Sequence, residues 1–317
     1  MPPVILDIVA RRVTRSALPD PASAPIADRL VVANGIRWHC LAREADQSVP
    51  PLHRRRVLLL HGTGSSAGSW MRFAACLAPG YSIVAPDLPG HGGCRGTEVL
   101  RNRPATLGAF ADGLAAMARV TGHWPDIVVG HSAGAALAAR LALDAALRGE
   151  PVPTVVGLNA ALLPLAGWAG ASYPLLARLC ALNPLVAPFF SLIATDPAAI
   201  RRLLAGTGST IDDELVERYR ELLRDAAHVA GTVRMLAQWD QERDLSALAE
   251  QLPSLGARLA LVAAARDRTV AADVSARIHA RVAGSRFVTL AGLGHLAHEE
   301  AAPTVALVVE SILGDGG

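Results

Sequence analysis

Ile127-Val128-Val129-Gly130-His131-Ser132-Ala133-Gly134 is the stretch on which the fold turns. Its three β-branched apolar residues predict a short strand buried on both faces. The G-x-S-x-G that follows runs straight into an Ala/Leu-rich helical segment, a context that makes a tight strand-to-helix turn and lifts a serine hydroxyl above a sheet. Gly130 and Gly134 let the turn tighten and let the helix approach the strand. Outward from this turn, an acid and a base follow in the order Ser…Asp…His. Asp267 lies in Ala265-Arg266-Asp267-Arg268-Thr269-Val270 and His295 in Leu290-Ala291-Gly292-Leu293-Gly294-His295, each just beyond a strand-like run.

The rest of the chain fits a sheet around that turn. Strand-like runs at Leu30–Ala33 and Ile36–Leu41 flank Asn34-Gly35, a hairpin signal because both residues tolerate positive φ. From Val57 onward, short runs that are apolar on both faces occur at Val57–Leu60, Ser82–Ala85, Ile127–Val129, Thr154–Leu158, Leu259–Ala263 and Phe287–Leu290. Helical stretches near 105–121, 133–148, 272–283 and 299–313 separate most of them. The pattern predicts a doubly wound, mostly parallel α/β sheet with an antiparallel N-terminal hairpin.

Roughly a hundred residues separate the Thr154–Leu158 run from the Leu259–Ala263 run, too many for a loop in a compact domain. They predict an inserted helical cap. Within it, Thr210-Ile211-Asp212-Asp213 resembles a capping-box start, and Leu215, Tyr219, Leu222 and Leu223 line one helix face. The apolar stretch Leu175–Ile193 is broken by Arg178, Asn183-Pro184 and Pro188, so it predicts a greasy pocket wall rather than a membrane span, with shallow contact at a bilayer surface as a second use. The expected division is a loosely ordered lead-in over 1–28, a core over 29–159 and 246–317, and a cap over 160–245.

Composition narrows the chemistry. The 317 residues carry a net charge of +2, which gives no field suited to nucleic acid. All 30 basic residues are arginine, which removes P-loop, Schiff-base and pyridoxal-phosphate lysines. The four cysteines, Cys40, Cys76, Cys94 and Cys180, have no metal-ligand or redox-pair spacing. They read as free thiols in a reducing compartment. The apolar start Met1–Ala10 is interrupted by Asp7 and followed by Arg11 and Arg12, the reverse of a secretory leader. These features predict a cytoplasmic protein, with membrane association through the cap, and one that needs neither metal nor organic cofactor.

Ser132 is the candidate nucleophile and needs a base to accept its proton. His295 is the candidate base, and Asp267 the carboxylate that holds the imidazole tautomer. Asp240 and Asp244 are weaker alternatives because they precede the late strand. The oxyanion needs two fixed N–H donors, expected from Ala133 and from Thr63 in His61-Gly62-Thr63-Gly64, with Gly64 the alternative to Thr63. Gly62-x-Gly64-x-x-Ala67 with Asp87 also fits a dinucleotide fingerprint, a reading that would leave Ser132, Asp267 and His295 unexplained. Asp87 and His91, in Pro86-Asp87-Leu88-Pro89-Gly90-His91-Gly92, read as scaffold. His131 either lines the pocket or packs, His298 reads as structural, and His39, His53, His123, His228 and His279 carry no motif.

Together H-G-T-G, P-D-L-P-G-H-G, G-H-S-A-G, the late Asp and G-L-G-H-L-A-H-E-E resemble the α/β-hydrolase superfamily from about Leu30 to Leu313. The serine nucleophile separates the chain from relatives that use aspartate. Gly35–His39, Val156–Pro164, Leu182–Val186, Gly206-Thr207-Gly208-Ser209 and His228–Gly231 are similar to the magnesium-chelatase accessory (BchO-type) proteins of bacteriochlorophyll biosynthesis. That resemblance implies a role near magnesium insertion into a porphyrin and magnesium chelatase as a partner. Three functions stay open. One is a serine hydrolase acting on a large hydrophobic ester, or on a carbon–carbon bond beside a ketone, with a tetrapyrrole as the suggested ligand. The others are a non-catalytic porphyrin-binding or delivery protein on the same fold and a general lipophilic esterase.

Overall fold

A computed structural model of the chain describes residues 25–94, 105–164, 183, 185–239 and 241–314. Most of the expected lead-in over 1–28 lies outside these residues, as do Cys180, Asp240 and the part of the Leu175–Ile193 stretch before residue 183.

The described strands form one eight-stranded sheet in the order β1-β2-β4-β3-β5-β6-β7-β8. They are β1 (Ala27–Ala33), β2 (Ile36–Arg43), β3 (Arg55–Leu60), β4 (Tyr81–Pro86), β5 (Ile127–His131), β6 (Thr154–Leu158), β7 (Leu259–Ala264) and β8 (Arg286–Leu290). β1 and β2 pair antiparallel across Asn34-Gly35, whose φ angles of 52° and 71° show why that pair makes the turn. β2 also runs antiparallel to β4, and every later pairing is parallel. The structure starts β1 at Ala27, so the last residues of the expected lead-in belong to the sheet.

Alternate side chains of each central strand enter two separate cores, as period-two geometry requires. Leu58, Leu60, Val128, Val155, Leu259 and Leu261 meet α2 (Leu107–Val120), α3 (Ala133–Leu147) and α9 (Ala272–Arg281) on one face. Val57, Leu59, Val129, Val156 and Val262 meet Trp70, Phe73 of α1 (Met71–Cys76) and α11 (Ala302–Gly314) on the other. The helix expected over 299–313 is two helices, α10 (Ala297–Glu300) and α11, divided at Ala301 with φ −141° and ψ 47°.

Between β6 and β7 lie α4 (Val186–Ile193), α5 (Pro197–Ala205), α6 (Asp213–Arg224), α7 (Ala226–Gln238) and α8 (Gln241–Gln251). The first turn of α6 corrects the expected capping box. Asp212, not Thr210, is the N-cap, its carboxylate accepting from Leu215 N at 2.9 Å. Asp212 lies closer to the helix, and a carboxylate suits the positive end of the helix dipole. Leu215 and Tyr219 then join Ile200, Leu204 and Leu296 in a small core of their own. Among the described residues no helix is long and apolar enough to cross a membrane.

Candidate active site

Thr63, Ser132, Ala133, Asp267 and His295 all follow the carboxyl ends of parallel strands, where open α/β sheets place their ligand crevices. Ser132 follows β5 and has φ 52° and ψ −119°. This left-handed backbone is costly for a residue with a Cβ and must be enforced by its surroundings. The enforcement is visible. Ser132 N donates to Leu158 O at 3.0 Å, and its carbonyl accepts from Ala135 N at 3.0 Å and Ala161 N at 3.2 Å. A Cβ on Gly134 would overlap the Leu60 carbonyl, and one on Gly130 would overlap the Gly134 carbonyl.

His295 and Asp267 meet. The imidazole Nδ1 lies 2.7 Å from Asp267 Oδ2, with the two side chains 8% and 1% exposed. Asp267 Oδ1 accepts from Thr269 N at 2.7 Å and Val270 N at 2.9 Å, so both carboxylate oxygens are held. A carboxylate is acceptor-only, so the hydrogen lies on Nδ1 and leaves Nε2 as the basic nitrogen. Ser132 and His295 line the same cavity, of about 660 Å³. Among the described residues no hydrogen bond joins Ser132 Oγ to the ring, and the N–H groups of Thr63 and Ala133 have no acceptor. The alternative Asp244 lies in α8 instead of beside His295.

The loop bearing Thr63 is fixed by two histidines. His61 is wholly buried, and burial pushes its pKa down to about 4. Its Nδ1–H donates to Gly62 O at 2.8 Å, and its Nε2 accepts from Leu88 N at 2.9 Å. His228, to which the sequence assigned no role, donates from Nε2 to Gly64 O at 3.2 Å and accepts from Gly92 N at 3.0 Å. It therefore ties α7 to both loops, and burial lowers its pKa as well. His39 is likewise engaged, its ring bridging Asp28 and Asp87. Asp87 also accepts from Ala67 N at 2.6 Å and Gly93 N at 2.7 Å. With its carboxylate buried and spoken for by the protein, Asp87 has no oxygen to offer a ribose, which removes the dinucleotide reading.

Three further residues brace the site. Asn159 (φ 47°) donates from Nδ2 to Gly294 O at 3.0 Å and to His295 O at 2.8 Å, while its Oδ1 accepts from Ala264 N at 2.8 Å. His131 lines the cavity and also donates from Nε2 to His295 O at 2.8 Å. His298 packs its ring 4.3 Å from that of His131 and 4.5 Å from that of Trp70. Burial drives its pKa down to about 3, so it stays neutral.

The cavity walls are mostly apolar, including Leu163, Leu204, Leu223, Met235, Trp239 and Leu296. Apart from the histidines its charged lining is Asp273 and Arg277, which pair with each other at 3.3 Å. Tyr219 adds a polar point beside Ser65 and donates to Glu299 Oε1 at 2.8 Å. Burial pushes the Glu299 carboxyl up to about 7, opposed by the Arg218 guanidinium. Among the described residues no group of three or more His, Cys, Asp or Glu is arranged to hold a metal ion.

Residues 57–307 match the model of the alpha/beta hydrolase family. The magnesium-chelatase 30 kDa subunit of Rhodobacter capsulatus is 40% identical over 251 residues, covering 78% of this chain and 82% of that protein. A solved meta-cleavage product hydrolase (CumD) from Pseudomonas fluorescens IP01 superposes with a TM-score of 0.68 at 18% identity, over 92% of this chain and 99% of the other. Cfl2 from Burkholderia cenocepacia gives 0.66 at 21% identity, over 92% and 97%. At such identities the two structures speak for the fold alone.

Proposed function

The chain belongs to the alpha/beta hydrolase family, and from that membership we propose that it is a serine hydrolase acting on a large hydrophobic ester. Ser132 Oγ attacks the carbonyl carbon and passes its proton to His295 Nε2. Asp267 holds the Nδ1–H tautomer and stabilises the imidazolium as it forms. The N–H groups of Thr63 and Ala133 receive the negative oxygen of the tetrahedral intermediate. His295 then protonates the leaving group, and in a second half-reaction it takes a proton from the water that releases the acyl group. The same groups serve a carbon–carbon bond beside a ketone, where the leaving group departs as a carbanion equivalent. The reading rests above all on the His295–Asp267 pair, 2.7 Å apart, with His295 lining the same cavity as Ser132.

The identity with the magnesium-chelatase subunit supports an accessory role at magnesium insertion in bacteriochlorophyll synthesis, with the chelatase as partner. The volume and apolar walls of the cavity suit a tetrapyrrole bearing an ester or propionate. Helices α4–α8 then act as the cap over it. Shallow bilayer contact would use α4 and its flank, which leave Leu185, Phe189 and Leu192 well exposed. A second reading, porphyrin binding without turnover, draws on the same apolar cavity.

The test is labelling by a fluorophosphonate, located by mass spectrometry, in wild type and Ser132→Ala. Labelling at Ser132 that disappears in the variant supports the hydrolase. A folded wild type that stays unlabelled overturns it and leaves porphyrin binding.

A further inference from the structure

Residues Thr207, Gly208, Ser209 and Thr210 form a strap between α5 and α6 that lies against both loops of the His–Asp pair. The Thr207 carbonyl accepts from Arg268 N at 3.1 Å and from His295 N at 3.3 Å, so one oxygen touches the residue after the acid and the base itself. Ser209 Oγ accepts from Leu296 N at 2.8 Å. Glu300 of α10 closes the arrangement, Oε1 accepting from Gly294 N and Oε2 from Thr210 N, both at 2.6 Å. The three successive N–H groups of Gly294, His295 and Leu296 are therefore held by Glu300, Thr207 and Ser209. Asn159 and His131 hold the carbonyls of the same loop.

The crossing is too close for side chains. Gly208 has φ 90°, and a Cβ there would overlap the Arg266 carbonyl, while a Cβ on Gly294 would overlap the Gly208 backbone. Leu296, next to the base, is buried in the core formed by Ile200, Leu204, Leu215 and Tyr219. The strap is thus joined to the inserted helices α5 and α6 at its two ends and bonded to the base loop between them.

We propose that the strap Thr207–Thr210, with Glu300, is a positioning element for catalysis. The seat of the inserted helices then sets where His295 stands relative to Asp267 and Ser132. This rests on the hydrolase reading given above. A strap that only glued the insertion to the sheet would affect stability and leave the imidazole undisturbed.

The experiment uses the full chain with Ser209→Ala, Ser209→Thr and Glu300→Gln. Two quantities are read: the rate of fluorophosphonate labelling at Ser132, and the downfield proton resonance of His295 Nδ1–H, assigned by its loss in Asp267→Asn. Positioning errors near 1 Å cost on the order of 10²-fold in rate, so Ser209→Ala should slow labelling by at least about tenfold. It should also shift or broaden the resonance, and Ser209→Thr, which keeps the hydroxyl, should restore both. Lowered melting temperatures in Ser209→Ala and Glu300→Gln with an unchanged resonance and labelling rate would overturn the proposal. If Glu300→Gln does not fold, Ser209→Ala decides alone. If wild type is not labelled, the hydrolase reading falls, and the His295 resonance by itself decides whether the strap positions the pair.

Discussion

Replacing Asn159 by alanine should destabilise the protein by about 3 kcal/mol, a sum with three parts. Asn159 is 3% exposed, so water does not reach what its amide leaves behind. Ala264 N loses its acceptor, and a buried orphan donor costs roughly 1–3 kcal/mol. The Gly294 carbonyl loses its donor, while the His295 carbonyl keeps the one from His131. Asn159 also sits at φ 47°, where asparagine is at home and alanine costs about 1 kcal/mol or more. Asn159→Gly separates the contributions, since glycine loses the same hydrogen bonds without the backbone strain. It should be milder than Asn159→Ala by about 1 kcal/mol. Urea unfolding with linear extrapolation measures both, provided the slopes match wild type. Because Asn159 grips the His295 loop, labelling at Ser132 should slow in both variants. A loss in Asn159→Ala below about 1 kcal/mol, or a glycine variant as unstable as the alanine one, would refute the reasoning.

Ser132→Gly should raise stability by about 1 kcal/mol, because glycine adopts φ 52° freely, whereas Ser132→Ala keeps the strain; equal unfolding midpoints for the two would show that the turn stores no strain. His39 titrates between Asp87 and Asp28, and its bond to Asp87, the largest influence, raises its pKa from 6.5 to about 9. Protonation is favoured in the folded state, so this stabilisation is complete below pH 6.5 and fades as pH rises through about 9. Urea midpoints of wild type should fall across that window and those of His39→Gln should stay flatter; parallel profiles would contradict the assignment.

Local features were legible in the sequence wherever a residue type carries its own backbone signature. The turn at Ser132 is spelled by Gly130 and Gly134, because only glycine escapes the overlap with the Gly134 and Leu60 carbonyls. Asn34-Gly35 spells the hairpin by its tolerance of positive φ. Thr154–Leu158 appears as a strand with the bounds its apolar run predicts, and the other runs shift by one to three residues at their ends. Failures were local too. Thr210 and Asp212 are both plausible caps by type, and the choice fell to Asp212 when Thr210 N turned to Glu300. The helix near 299–313 broke at Ala301, which has no type-specific reason to break it.

What the sequence by itself determined is the sheet, the sharp turn under Ser132, and the order in which serine, aspartate and histidine reach one end of that sheet. Apolar periodicity and glycine sterics act over a few residues, so they are written in the chain. Only the tertiary structure decided what holds the site in place: His228 on Gly64 and Gly92, Asn159 on the His295 loop, Thr207 between Arg268 and His295, and Glu300 between Gly294 and Thr210. Most of those contacts join residues far apart in sequence, and nearly all end on backbone N–H or C=O groups. Every residue but proline carries both groups, so no residue type announces which carbonyl or amide will be chosen; that choice is made when the inserted helices pack down on the sheet.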